Sequence, residues 1–249
     1  MRCTNGGLRS KRSYRSRFGR RYPPSIPESV HKASKVLDLF SVERPALGPT
    51  EVANELGIAK STAHALLGEL AKAGLTERLP CGTHLLGWRT LELARTKLAT
   101  SGYSDAITPL ARGLASHFGE TVHVTAWERG RVMYVASHRP PDGVAAPAEP
   151  VAAELTPPGA VLLAERADYR DGGLEPDELE RIRRRGYAVG AQHALDGVEC
   201  AAAPVRRGHG PASAALTLCA PRDRFRARRD EYTRAVAGAG ERIARSVRR

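Results

Sequence analysis

Apolar residues recur at helical spacing over the first third of the chain and then give way to alternation. Val30, Ala33, Val36, Leu37 and Phe40 share one stripe and predict a short helix over 29–41, ended by Arg44-Pro45. Gly48-Pro49-Thr50-Glu51 then reads as a helix start. Gly suits the N-cap, Pro suits the first turn, and Glu meets the positive end of the helix dipole. That helix is expected to stop at Gly57. A third helix is predicted from Ala59 to Gly74, with Ala63, Leu66, Leu67 and Leu70 inside a sector of about 100°. Leu75–Leu79 and His84–Leu86 are strand-like pieces around the turn Pro80-Cys81-Gly82-Thr83. Helix, helix, turn, helix, hairpin is the order of a winged helix-turn-helix.

A further helix is predicted over 88–101, with Leu91, Leu93, Ala94 and Leu98 apolar and a joint at Ser101-Gly102. Beyond it the pattern mixes helix and strand. Leu110–Phe118 is helical, and Thr121–Trp127 and Arg131–Ser137 alternate like paired strands about Glu128-Arg129-Gly130. Residues 139–158 are rich in Pro and Ala and read as loop. A helix begins near Ala160, and Glu175–Arg185 is a charged helix ended by Gly186. Ala201–Val205 and Ser213–Cys219 are strands around Arg207-Gly208-His209-Gly210, and one long basic helix is predicted over 222–247. The fold class is therefore α+β, with an antiparallel sheet in the C-terminal half. The implied domains are a basic arm, 1–27; a winged helix-turn-helix, 28–88; a linker helix, 89–102; and a C-terminal domain, 103–249.

Charge sharpens this division. The net charge is +12 with pI near 10.1, which favours a polyanionic partner such as DNA. Yet the eight basic and no acidic residues of 1–27 supply most of the excess, and 28–88 is close to neutral. The arm reads as disordered. A phosphate or minor-groove contact, a passive tail and a start-site artefact all stay open. Cysteines 3, 81, 200 and 219 have no metal-ligand spacing, so neither structural zinc nor a disulfide framework is expected, and a reducing cytoplasm is. No apolar run is long enough for a membrane span, and Arg20-Arg21 has no apolar stretch after it to make an export signal.

The polar side of the third helix is the candidate DNA reader. Ser61, His64, Ala65 and Gly68 form a small, polar face, with Lys60 at its rim and Thr62 beside it. Lys60 is placed for a phosphate, and Ser61, Thr62 and His64 offer hydrogen bonds.

The stretch Val52-Ala53-Asn54-Glu55-Leu56-Gly57-Ile58-Ala59-Lys60-Ser61-Thr62-Ala63-His64-Ala65-Leu66-Leu67, continued by Ala73-Gly74-Leu75 and Glu77-Arg78, resembles the DNA-binding domain of the IclR family of bacterial regulators. Ala65 stands where that family commonly has Arg. Gly119-Glu120-Thr121-Val122, the string from Gly197 to Val205 and the string from Ala214 to Pro221 resemble the family's GAF-like effector-binding domain. The resemblance implies a double-stranded operator of palindromic form, a homo-oligomer (dimer or dimer of dimers), a small-molecule effector such as an organic acid, no cofactor and no enzyme activity. It adds Arg78 to the DNA-contacting set. It places the effector against Gly159, Ala160, Cys200, Thr217 and Cys219, with Ala160 where the family usually has Lys. Two alternatives accompany it: a constitutive DNA-binding regulator with a degenerate pocket, and an enzyme using His123, His193 and Cys200. No nucleophile or phosphate motif surrounds those three.

Overall fold

The computed structural model describes residues 27–101, 103–166, 173–206 and 210–246, with the side chains of 103–106 and 245–246 excluded. The basic arm up to residue 26, most of the 207–210 turn and residues 167–172 lie outside the described residues. Two compact units divide between Lys97 and Leu98.

The first unit opens with α1 (Glu28–Asp38), α2 (Pro49–Leu56) and α3 (Lys60–Lys72). The Gly48 N–H donates to Glu51 Oε2 at 2.7 Å, and Gly57 closes α2 at φ 64°, the left-handed region that favours glycine. The hairpin of β1 (Thr76–Arg78) and β2 (His84–Leu86) follows, with Leu47 bridged to His84 from outside the hairpin. Val36, Leu39, Phe40, Leu47, Val52, Ala63, Leu67 and Leu70 make one buried core, so the leucine stripe of α3 faces inward. Gly87 is obligatory for a different reason. A Cβ there would lie 2.1 Å from Gly74 O, so the hairpin exit and the end of α3 approach at glycine distance. Next comes α4 (Trp88–Ser101), the predicted linker helix, none of whose residues is buried.

The second unit carries a six-stranded antiparallel sheet in the order β5-β4-β3-β8-β7-β6. Its strands are β3 (Thr121–Glu128), β4 (Arg131–His138), β5 (Val151–Ala152), β6 (Ala188–Ala191), β7 (Val198–Val205) and β8 (Ala214–Pro221). Arg129 at φ 48° and Gly130 at φ 82° form the two-residue turn between β3 and β4. One face is covered by α5 (Tyr103–Phe118), α8 (Arg222–Ala227) and α9 (Arg229–Ser246), burying Val122, Val124, Leu216, Leu218, Phe225 and Tyr232. The other face is covered by α6 (Pro157–Ala164), and α7 (Pro176–Arg185) packs against α6.

Four expectations are corrected. Residues 139–158 are not loop throughout, because Val151-Ala152 pairs with Val132-Arg131 and Ala153–Leu155 turns as a 3-10 helix. Ala188–Ala191 is an edge strand on β7 that the sequence reading passed over. The closing helix is two helices broken at Arg228, whose backbone leaves the helical region. Cys200 and Cys219 form a disulfide. Register explains this, since the two stand directly opposite on β7 and β8 with Cα atoms 4.3 Å apart despite 19 residues between them.

Candidate DNA-reading and effector sites

On α3, burial separates two faces. Ala63, Leu67 and Leu70 are buried, whereas Lys60, Ser61, His64 and Ala65 are exposed and Thr62 and Gly68 are half-buried. A Cβ on Gly68 would meet nothing within 4 Å, so glycine leaves that turn of the helix low and open. The face offers hydroxyl and imidazole groups on a shallow surface, which suits approach to base edges in a major groove. Arg78 is exposed at the end of β1, at the base of the 79–83 turn. Beneath it His84 is buried against Thr76 at 3.3 Å, and burial together with Arg78 and His64 holds its pKa below the usual imidazole value. The wing is therefore anchored by an uncharged pair, and its charge is left at the rim.

In the C-terminal unit the five named effector residues lie on α6, β7 and β8, which pack against one another, but most of them have other work. Thr156 Oγ1 accepts from the Gly159 N–H at 3.0 Å, and Pro157 and Pro158 have no N–H at all. The start of α6 thus has no free donor for a carboxylate. Gly159 serves close packing instead, because a Cβ there would lie 2.0 Å from Ala153 O. Ala160 is buried in the α6–α7 cluster. Cys200 and Cys219 are bonded to each other beneath Val144 and Leu195, so neither offers a thiol to a ligand.

Thr217 is different. It is fully buried and stands directly opposite His123 on β3, and the hydroxyl of Thr217 has no hydrogen-bond partner. Around it the sheet assembles a polar cluster. His123 Nδ1 is 2.8 Å from Ser137 Oγ, and its ring packs edge-on against Tyr134 at 5.1 Å. Gln192 Nε2 donates to the Tyr134 hydroxyl. Thr121 lies two residues from His123 on the same strand face. Burial alone pushes His123 down to about 4, and burial pushes Tyr134 up to about 12. Both are neutral near pH 7.

The sequence reading found His123 only as an enzyme candidate and missed Thr121, Tyr134, Ser137 and Gln192. The alternation Thr121-x-His123-x-Thr125 opposite Val122-x-Val124 was the available signal. Ser137 needed more. A register shift in the β3–β4 pairing lets Tyr134 and Ser137, three apart, reach the same side. The three enzyme candidates are not brought together as a catalytic set. His123 is buried, His193 is exposed, and Cys200 is disulfide-bonded. Among the described residues, no group of His, Cys, Asp or Glu is arranged to hold a metal.

Residues 29–80 match the family described as IclR helix-turn-helix domain, and residues 174–245 match the one described as Bacterial transcriptional regulator IclR C-terminal. The Glycerol operon regulatory protein of Streptomyces coelicolor is 28% identical over 199 residues, covering 72% of this chain and 78% of that protein. An IclR family transcriptional regulator from Brucella abortus superposes with a TM-score of 0.73 at 18% identity, over 90% of this chain and 94% of that one. An IclR homolog from Microbacterium hydrocarbonoxydans, solved in complex with 4-hydroxybenzoate, gives a TM-score of 0.70 at 21% identity, over 88% of this chain and 99% of that one. With a helix-turn-helix unit and a C-terminal unit that each match the same family, the chain belongs to the IclR family of DNA-binding transcriptional regulators.

Proposed function

We propose that this regulator reads a palindromic operator as a homodimer, or a dimer of dimers, through the Lys60, Ser61, Thr62, His64, Ala65, Gly68 and Arg78 surface, and that a small molecule bound in the C-terminal unit changes its affinity for that operator. The observation that carries the DNA-reading part is the division of α3, whose leucines are consumed by the core while its serine–histidine face is left to solvent. Two-fold pairing of readers would match a two-fold operator. Support for a second copy comes from α4. Trp88, 76% exposed, and Leu91, 48% exposed, fall with Leu98 on one stripe of a helix that has no buried residue. Apolar side chains of this size on one helix stripe are what a pairing helix presents.

The test is anisotropy titration of DNA from the gene's own upstream region. The triple variant Lys60→Ala, Ser61→Ala, His64→Ala should lose sequence-selective binding by about a hundredfold or more, while thermal unfolding stays unchanged. Wild-type binding should weaken steeply with salt. Unchanged selective affinity in the triple variant rules out this face as the reader. The constitutive alternative draws on one observation, the closed start of α6, where an acid has no donor to meet. A ligand that shifts both the unfolding temperature and operator affinity decides against it.

A further inference from the structure

We propose that the molecule sensed by the C-terminal unit is uncharged and rich in hydroxyl groups, and that it is held by His123, Thr217, Thr121 and Gln192 on the α6-facing side of the sheet. The inference rests on the ligand-sensing role argued above and specifies its chemistry.

Four polar atoms on this side are buried with no hydrogen-bond partner: His123 Nε2, Thr217 Oγ1, Thr121 Oγ1 and Gln192 Oε1. Their residues are at most 1% exposed. They are also neighbours. Thr217 pairs with His123, Thr121 follows two residues along β3, and Gln192 reaches them through Tyr134, whose ring rests on His123. Buried polar groups are nearly always satisfied, so a group of four unsatisfied ones marks a place where another molecule completes them.

What completes them must match what they offer. One N–H of the Gln192 amide is given to Tyr134, and its oxygen is an unpartnered acceptor that requires a donor from the ligand. A carboxylate has no proton to give it. Charge argues the same way. The clustered side chains are Thr, Ser, Tyr, Gln and a histidine kept neutral by burial, so an anion would sit among them without a counter-charge. The α6 start cannot substitute, being capped by Thr156 and built from two prolines. A cation meets the converse difficulty, since none of these side chains is a carboxylate. An apolar ligand would leave all four atoms unsatisfied. Hydroxyl groups, donor and acceptor at once, suit every one of them.

Ser137, hydrogen-bonded to His123, is itself exposed, and β5 pairs only with residues 131–132 of β4, so among the described residues the outer edge of β4 has no strand beside Ser137. At the other end a turn crosses Thr121 so closely that a Cβ on Gly143 would lie 2.4 Å from its hydroxyl.

The test is calorimetric titration of the full-length protein with matched probes: glycerol and glycerate, xylitol and xylonate, 4-hydroxybenzyl alcohol and 4-hydroxybenzoate. The neutral member of at least one pair should bind, with its acid at least about tenfold weaker. Thr217→Val and Gln192→Leu should each weaken that binding by about tenfold, with operator affinity in the absence of ligand unchanged. Tighter binding of the acids overturns the chemical class and leaves ligand sensing standing. Neutral binding that ignores both substitutions overturns the site. Binding by no probe of either class, with only water in the cluster, overturns the inference and the sensing role together.

Discussion

The two faces of the C-terminal sheet use the same strands for opposite purposes. Toward α5 and α9, β3 presents Val122 and Val124 and β8 presents Leu216 and Leu218, all inside one continuous apolar core. Toward α6, the same strands present Thr121, His123, Thr125 and Thr217, and their polar atoms are only partly satisfied. Period-two alternation keeps these roles one residue apart. The apolar face is a foundation that stabilises the fold through burial. The polar face gives up some of that stability, and the sheet tolerates the loss because the opposite side is packed into a continuous core. A buried surface of unsatisfied polar groups is the complement of the exposed face of α3, whose Ser61 and His64 stand in water.

The sharpest way to break this comparison is on the apolar side. Leu216→Ala should cost about 2–5 kcal/mol, the lost transfer energy plus the cavity left among Val124, Ala203 and Val236. Urea unfolding followed by circular dichroism measures it. A loss below about 1 kcal/mol would mean that the face is loosely packed and is no foundation.

A second effect belongs to the polar side and depends on pH. His123 has its pKa lowered from 6.5 to about 4 by burial. The unfolded chain therefore takes up a proton near pH 6.5 that the folded one refuses until about pH 4. The associated stability is fully present above pH 6.5 and is lost as pH falls toward 4, by about 3 kcal/mol in all. His84 and His138 are lowered too, so the wild-type slope is a sum. The difference between wild type and His123→Gln isolates the one residue. Parallel pH profiles for the two proteins would show that His123 is solvated in the folded state.

Local signals carried the helices of the first unit and fell short on the polar cluster of the second, for a physical reason. Gly48-Pro49 and Gly57 bracket α2 within ten residues, and the leucine period of α3 is read from one turn to the next. Both are properties of contiguous sequence. The polar cluster is a property of pairing. His123 and Thr217 are adjacent only because β3 lies against β8, and Ser137 joins them only through a shifted register. Cys200 and Cys219 are likewise joined by register, so spacing alone argued against their bond. Val151-Ala152 reads as loop among its prolines until β4 is there to pair with it. Pro109, which suggests a helix beginning after it, lies inside α5, which starts six residues earlier.

The smallest expected effect is the most discriminating. Thr217→Val removes a hydroxyl that has no partner and leaves a side chain of similar shape, one residue from Leu216 on the same strand. If that hydroxyl is reserved for a ligand, its loss should change stability by less than about 1 kcal/mol and should favour the folded state, because a buried unsatisfied group has been deleted. If instead the hydroxyl serves the fold, the substitution should destabilise by about 1–3 kcal/mol, as deletion of one member of a satisfied buried pair does. The urea midpoint of Thr217→Val beside that of Leu216→Ala therefore compares the two faces at adjacent positions. A large loss from leucine with none from threonine is the signature of a sheet that folds on one side and waits for its ligand on the other.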